Sequence, residues 1–116
     1  MGEVIRFDLV LRRHRITYFD RQEFHQLLSL FTRFVVRGEW LDYSIDTLPG
    51  RAVFCVYRRA NDIPLYRIEK IRGEGARRRY QIRTGARIVR RASSLDELLN
   101  HFARPRERML ELLPQA

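Results

Sequence analysis

The sequence predicts an α+β domain: a long helix across one face of a predominantly antiparallel meander of about five strands, with a short helix at the C-terminal end. Three observations carry this. Residues 39–59, EWLDYSIDTLPGRAVFCVYRR, read as a β-hairpin, with alternating residues, a Leu48-Pro49-Gly50 turn and an apolar, β-branched second strand. Asp20 to Gly38 carries apolar residues at helical spacing between a capping signal and a terminating glycine. Two further turns, Ala60-Asn61-Asp62 and Thr84-Gly85, separate short segments of strand character.

Residues 4–11 come first. Ile5, Phe7, Leu9 and Leu11 alternate with Arg6 and Asp8, as in a strand. Arg12-Arg13-His14-Arg15 breaks it, and Ile16 to Phe19 is a second short extended piece. Asp20-Arg21-Gln22-Glu23 is a D-x-x-E helix start, in which Asp20 accepts from the Glu23 amide while Glu23 reaches back. Phe24, Leu27, Leu28, Phe31, Phe34 and Val35 then form an apolar stripe, and Gly38 is a natural C′ residue.

In the hairpin, parity puts Leu41, Tyr43, Ile45, Ala52, Phe54 and Val56 on the face beneath the helix. Trp40, Asp42, Ser44, Asp46, Val53, Cys55 and Tyr57 share the outer face. A slip of one residue would drive carboxylates into the core, so the register is firmly specified. Residues 63–71, IPLYRIEKI, form the next strand, with Tyr66 and Ile68 inward and Leu65, Arg67 and Glu69 outward. A last hairpin runs over 77–83 and 86–91. In it Tyr80 and Ile82 point inward, and Arg77, Arg79 and Arg83 lie on the other side. Ser94-Leu95-Asp96-Glu97 is a second capping box, opening a short helix with Leu95, Leu98, Leu99 and Phe102 as its stripe. Past Pro105, Met109, Leu110, Leu112 and Leu113 suggest one or two more helical turns.

The 116 residues, 45% hydrophobic, suit one globular domain with a real core, made of residues 16–103 and a tail over 104–116. No run reaches the ~18 apolar residues of a membrane span. The N-terminal apolar segment is interrupted by Arg6 and Asp8, unlike a signal peptide. A single cysteine, Cys55, has no internal disulfide partner, so a reducing cytoplasm is expected. The net charge is +9, with 22 arginines and one lysine, Lys70. That balance favours polyanionic partners, nucleic acid or acidic protein. A GC-rich genome would also explain the ratio of arginine to lysine, though not the net charge.

FDRQEF (19–24), GEWLDYSID (38–46), RAVFCVYRR (51–59), PLYRIEK (64–70) and TGARIVRR (84–91) follow one another in an order and spacing that resembles the bacterial domain-of-unknown-function family 2794. The resemblance covers roughly residues 16–103. It implies a bacterial, alphaproteobacterial, cytoplasmic protein, and it brings no established activity and no catalytic residues. The arginine-rich connection at 72–79 is more basic than the family pattern leads one to expect.

Two constellations are candidates for function. Residues 77–91 hold seven arginines and no acid, and Arg77, Arg79, Arg83, Arg87 and Arg91 form the expected polyanion-binding row. About five such contacts to duplex phosphates would give a slope of log K against log salt of about −4 to −5. The competing reading is a solvated charged face that blunts sheet pairing, with some arginines tied to Asp42, Asp46 and Glu69. The second constellation is the mixed outer face, where Trp40, Tyr57 and Leu65 would centre a protein or homodimer interface. There Asp42 and Arg67 are expected to flank Cys55, and a plain cross-strand ion pair is the competing reading.

Catalysis has little support. His14, His25 and His101 are scattered, without metal-ligand spacing, and Cys55 lacks a partner histidine. Asp42 and Asp46 would stand ~13 Å apart along a strand. GEGARRR lacks the features of a phosphate-cradling loop. No cofactor and no metal is expected.

Overall fold

The computed structural model describes residues 16–60, 62–73 and 78–103. The expected strand over 4–11, the tail over 104–116 and Arg77 lie outside them. The order of elements is α1 (Arg21–Val36), β1 (Asp42–Leu48), β2 (Arg51–Tyr57), β3 (Tyr66–Arg72), β4 (Arg78–Thr84), β5 (Arg87–Ala92), α2 (Leu95–Leu99) and a 3-10 turn, Asn100–Phe102. The five strands form one antiparallel sheet in sequence order, and α1 and α2 cover one face of it.

α1 begins with the expected capping box. The Glu23 amide donates to Asp20 Oδ1 at 2.8 Å, and the Asp20 amide donates to Glu23 Oε1 at 2.8 Å. The Glu23 amide holds the Asp20 carboxyl below the usual carboxylate range. The helix ends in a Schellman turn: Gly38 N–H donates to Val35 O, Glu39 N–H donates to Phe34 O, and Gly38 takes φ +75°. The buried line of α1 runs through Glu23, Leu27 and Leu30, with Phe31 and Phe34 packed beside it. The expected stripe omitted Leu30 and included Val35, which is 39% exposed. The helix is rotated toward Leu30 because Phe34 must meet Trp40.

The hairpin has the expected parity. Tyr43 pairs with Val56, Ile45 with Phe54 and Thr47 with Ala52, and Phe54 and Val56 are fully buried beneath α1. Phe31 meets Tyr43 edge-on at 4.9 Å, and Tyr43 stacks on Phe54 at 5.2 Å. Ile68 and Ile82 extend the same inner row across β3 and β4, Leu95 and Leu98 of α2 join the core, and Phe102 packs against Trp40 and Tyr66.

Three expected placements are corrected. Trp40 is 4% exposed and lies beneath α1, stacked on Phe34 at 4.3 Å and met edge-on by Phe102 at 5.5 Å. Leu41, expected inside, is 58% exposed. Both residues precede the regular ladder, which starts at Asp42. The Schellman turn, with Trp40 N–H also directed at Phe34 O, sets their orientation in place of strand alternation. Leu65, expected outside, packs against the core. It follows Pro64, its N–H donates to Val56 O, and β3 begins only at Tyr66, three residues later than expected.

One polar cluster sits inside this layer. The Glu23 carboxylate accepts from Lys70 Nζ at 2.6 Å and from the Tyr80 hydroxyl, and Lys70 Nζ also donates to Tyr18 O at 2.7 Å. Glu23 and Lys70 are 6% and 5% exposed. Their charges are tolerated there because each is paired and hydrogen-bonded. The Tyr80 hydroxyl is held well above the usual phenol range by burial and by the Glu23 carboxylate.

Candidate polyanion-binding face

The pairings put two full rows across the outer face of the sheet and a third across its first four strands. The first runs Ser44, Cys55, Arg67, Arg83, Ile88; the second Asp46, Val53, Glu69, Gln81, Arg91; the third Leu48, Arg51, Ile71, Arg79. Charge changes sign along them. Acid stands on β1, at Asp42 and Asp46, whereas Arg67, Arg79, Arg83 and Arg91 stand on β3 to β5. Glu69, 2% exposed, is the acid within the basic part. It accepts from Arg51 NH1 at 3.2 Å and from Gln81 Nε2. Among the described residues its carboxylate is bonded to Arg51 and to no arginine of the last hairpin.

Those arginines are crowded. Arg67 and Arg83 are direct cross-strand neighbours of like charge, a destabilising arrangement unless an anion lies between or above them. Arg83 Nε is buried and has no hydrogen-bond partner. Among the described residues, no carboxylate is bonded to Arg67, Arg79, Arg83 or Arg91. A concavity of about 680 Å³ lies here, over Ile71, Gln81 and Ile88 and rimmed by Arg51, Arg79, Arg83 and Arg91.

Of the expected row, Arg79, Arg83 and Arg91 come together on this face. Arg77 lies outside the described residues. Arg87 does not join: it pairs with Thr84, on the side of the sheet that carries Tyr80 and Ile82. A bulge between Ile82 and Arg83 is the reason. The extra residue in β5 breaks the alternation that would have put Arg87 and Arg91 on one side. Arg51 and Arg67 complete the basic surface. Arg67, expected outward beside Cys55, also stands next to Arg83, which strand parity puts on the same face.

The mixed end of the face differs from expectation. Ser44 and Arg67, not Asp42 and Arg67, flank Cys55, because Asp42 pairs with Tyr57. Ser44 Oγ and Tyr57 Oη lie 2.9 Å apart in a hydrogen bond. Tyr57 is half-buried on the outer face as expected, but Trp40 and Leu65 belong to the other layer and give this surface no apolar centre. Cys55 is 5% exposed, and burial pushes its thiol up. His25 is exposed on α1, and His101 packs edge-on against Phe102 at 5.3 Å. Among the described residues no group of three or more His, Cys, Asp or Glu is arranged to hold a metal ion. Nor is any helix among them long and apolar enough to cross a membrane.

No curated protein and no solved structure matches the chain. One family does, over residues 17–99: the one described as "Protein of unknown function (DUF2794)". That match takes in everything from the start of α1 to the end of α2, and the chain belongs to the DUF2794 family.

Proposed function

We propose that the protein is a non-enzymatic binding module whose outer sheet face takes the phosphates of nucleic acid. The observation that carries this reading is the Arg67/Arg83 like-charge pair, with Arg83 Nε buried and unpartnered and, among the described residues, no carboxylate bonded to either arginine. Such an arrangement is relieved by a bound anion, and guanidinium forms bidentate bonds to phosphate. The net charge of +9 adds long-range attraction to the same class of partner. The reading takes the protein to act in the cytoplasm, where Cys55 stays a thiol.

Titration of fluorescent oligonucleotides, single-stranded and duplex, at several salt concentrations tests it. Four contacts, from Arg67, Arg79, Arg83 and Arg91, give a slope of log K against log salt of about −3 to −4. Arg83→Ala should lower that slope by about one unit and leave the fold intact. An affinity that ignores salt, or none measurable for either form below about 100 mM salt, refutes the reading.

A further inference from the structure

Within that face, we infer that the concavity over β3 to β5 seats a nucleic-acid strand with unpaired bases rather than a duplex. The inference rests on the polyanion reading and adds to it. Its basis is the mixture of residue types. A surface that only tracks phosphates needs cations in a row. This one sets Ile71 beside Arg79 and Ile88 beside Arg83, apolar next to basic in two separate rows. Both isoleucines are half-buried, so part of each side chain is open to the concavity they line.

Volume points the same way. About 680 Å³ falls in the range that encloses an organic ligand, and a bare phosphate would fill little of it. A nucleotide has the matching two-part chemistry: an anion for Arg79, Arg83 and Arg91, and a flat, weakly hydrated base to lie on Ile71 or Ile88. The guanidinium planes at the rim can stack on the base as well as bind its phosphate. In a duplex the bases are stacked inside and cannot reach the isoleucines, whereas an unpaired strand can turn them onto the sheet. Arg79, Arg91 and Arg83 stand in successive rows about 7 Å apart along the strands, so consecutive phosphates have separate partners.

Fluorescence anisotropy with three probes of about twelve nucleotides decides it: a mixed-sequence single strand, the duplex of that sequence, and an abasic strand of equal length. The full chain should bind the single strand at least about fivefold more tightly than either other probe at equal salt. Ile71→Ala and Ile88→Ala should each erode that preference while leaving affinity for the abasic strand unchanged, with circular dichroism confirming the fold. Equal binding of all three probes, or tighter binding of the duplex, overturns the inference and leaves the polyanion reading standing. Failure to bind any of them, or heparin, overturns both. The comparison of probes on the unmutated protein decides the question even if a variant does not fold.

Discussion

The chain has one lysine to 22 arginines, and that lysine is buried in a charge pair. Lys70 projects from β3 into the layer beneath α1 and reaches Glu23 at 2.6 Å and Tyr18 O at 2.7 Å. Lys70→Met removes the cation and leaves the Glu23 carboxylate, 6% exposed, with the Tyr80 hydroxyl and the Asp20 amide as its partners among the described residues. Breaking a buried pair from one side costs about 3–5 kcal/mol, a large part of the ~5–15 kcal/mol that holds a domain together. Urea unfolding, followed by the fluorescence of the buried Trp40, reads this out. With a slope of about 1.5 kcal/mol/M, the midpoint should fall by about 2–3 M. Glu23→Gln keeps the capping interaction and removes the charge, so the double variant Glu23→Gln/Lys70→Met should be more stable than Lys70→Met alone. The coupling expected from the cycle is at least about 2 kcal/mol. Lys70→Arg should also destabilise, by about 1–3 kcal/mol, because a planar guanidinium is too large for a site packed around an ammonium. A Lys70→Met variant within about 1 kcal/mol of the parent, or a cycle without coupling, would show that the pair contributes nothing beyond its volume.

Two further outcomes test the core and the outer face. Trp40→Ala should cost about 3–5 kcal/mol, since it empties the space between Phe34 and Phe102; a thermal midpoint near that of the parent would mean that the ring is not in the core. Cys55, buried and with its thiol pushed up, should react with a thiol reagent only slowly in the folded protein and quickly in denaturant. Burial favours the neutral thiol, so its contribution to stability is complete below the ordinary thiol pKa of about 8.5. It is lost as pH rises through the raised folded value. Cys55→Ser should flatten the alkaline part of the stability profile, and an unchanged slope there would contradict this account.

Much of the architecture is written in local pattern. The period of two over Asp42–Leu48 and Arg51–Tyr57 assigns Tyr43, Ile45, Phe54 and Val56 to one side, because neighbouring residues on a pleated strand must face opposite ways. The two capping signals start helices where Asp20 and Ser94 stand, because only short polar side chains there satisfy the free amides of the first turn. The cationic character of the last hairpin is equally plain from composition. Other features depend on contacts between distant parts of the chain. Trp40 and Leu65 lie just outside the ladder, where alternation has no hold and packing against the core decides orientation. The bulge opposite Ile82 and Arg83 sends Arg87 to one side and Arg91 to the other, and no local signal marks the extra residue. Strand parity does put Lys70 on the inner face with Tyr66 and Ile68, yet nothing near it in sequence announces its partner. Glu23 is 47 residues away, and only the docking of α1 on the sheet brings the two charges together where water cannot replace either.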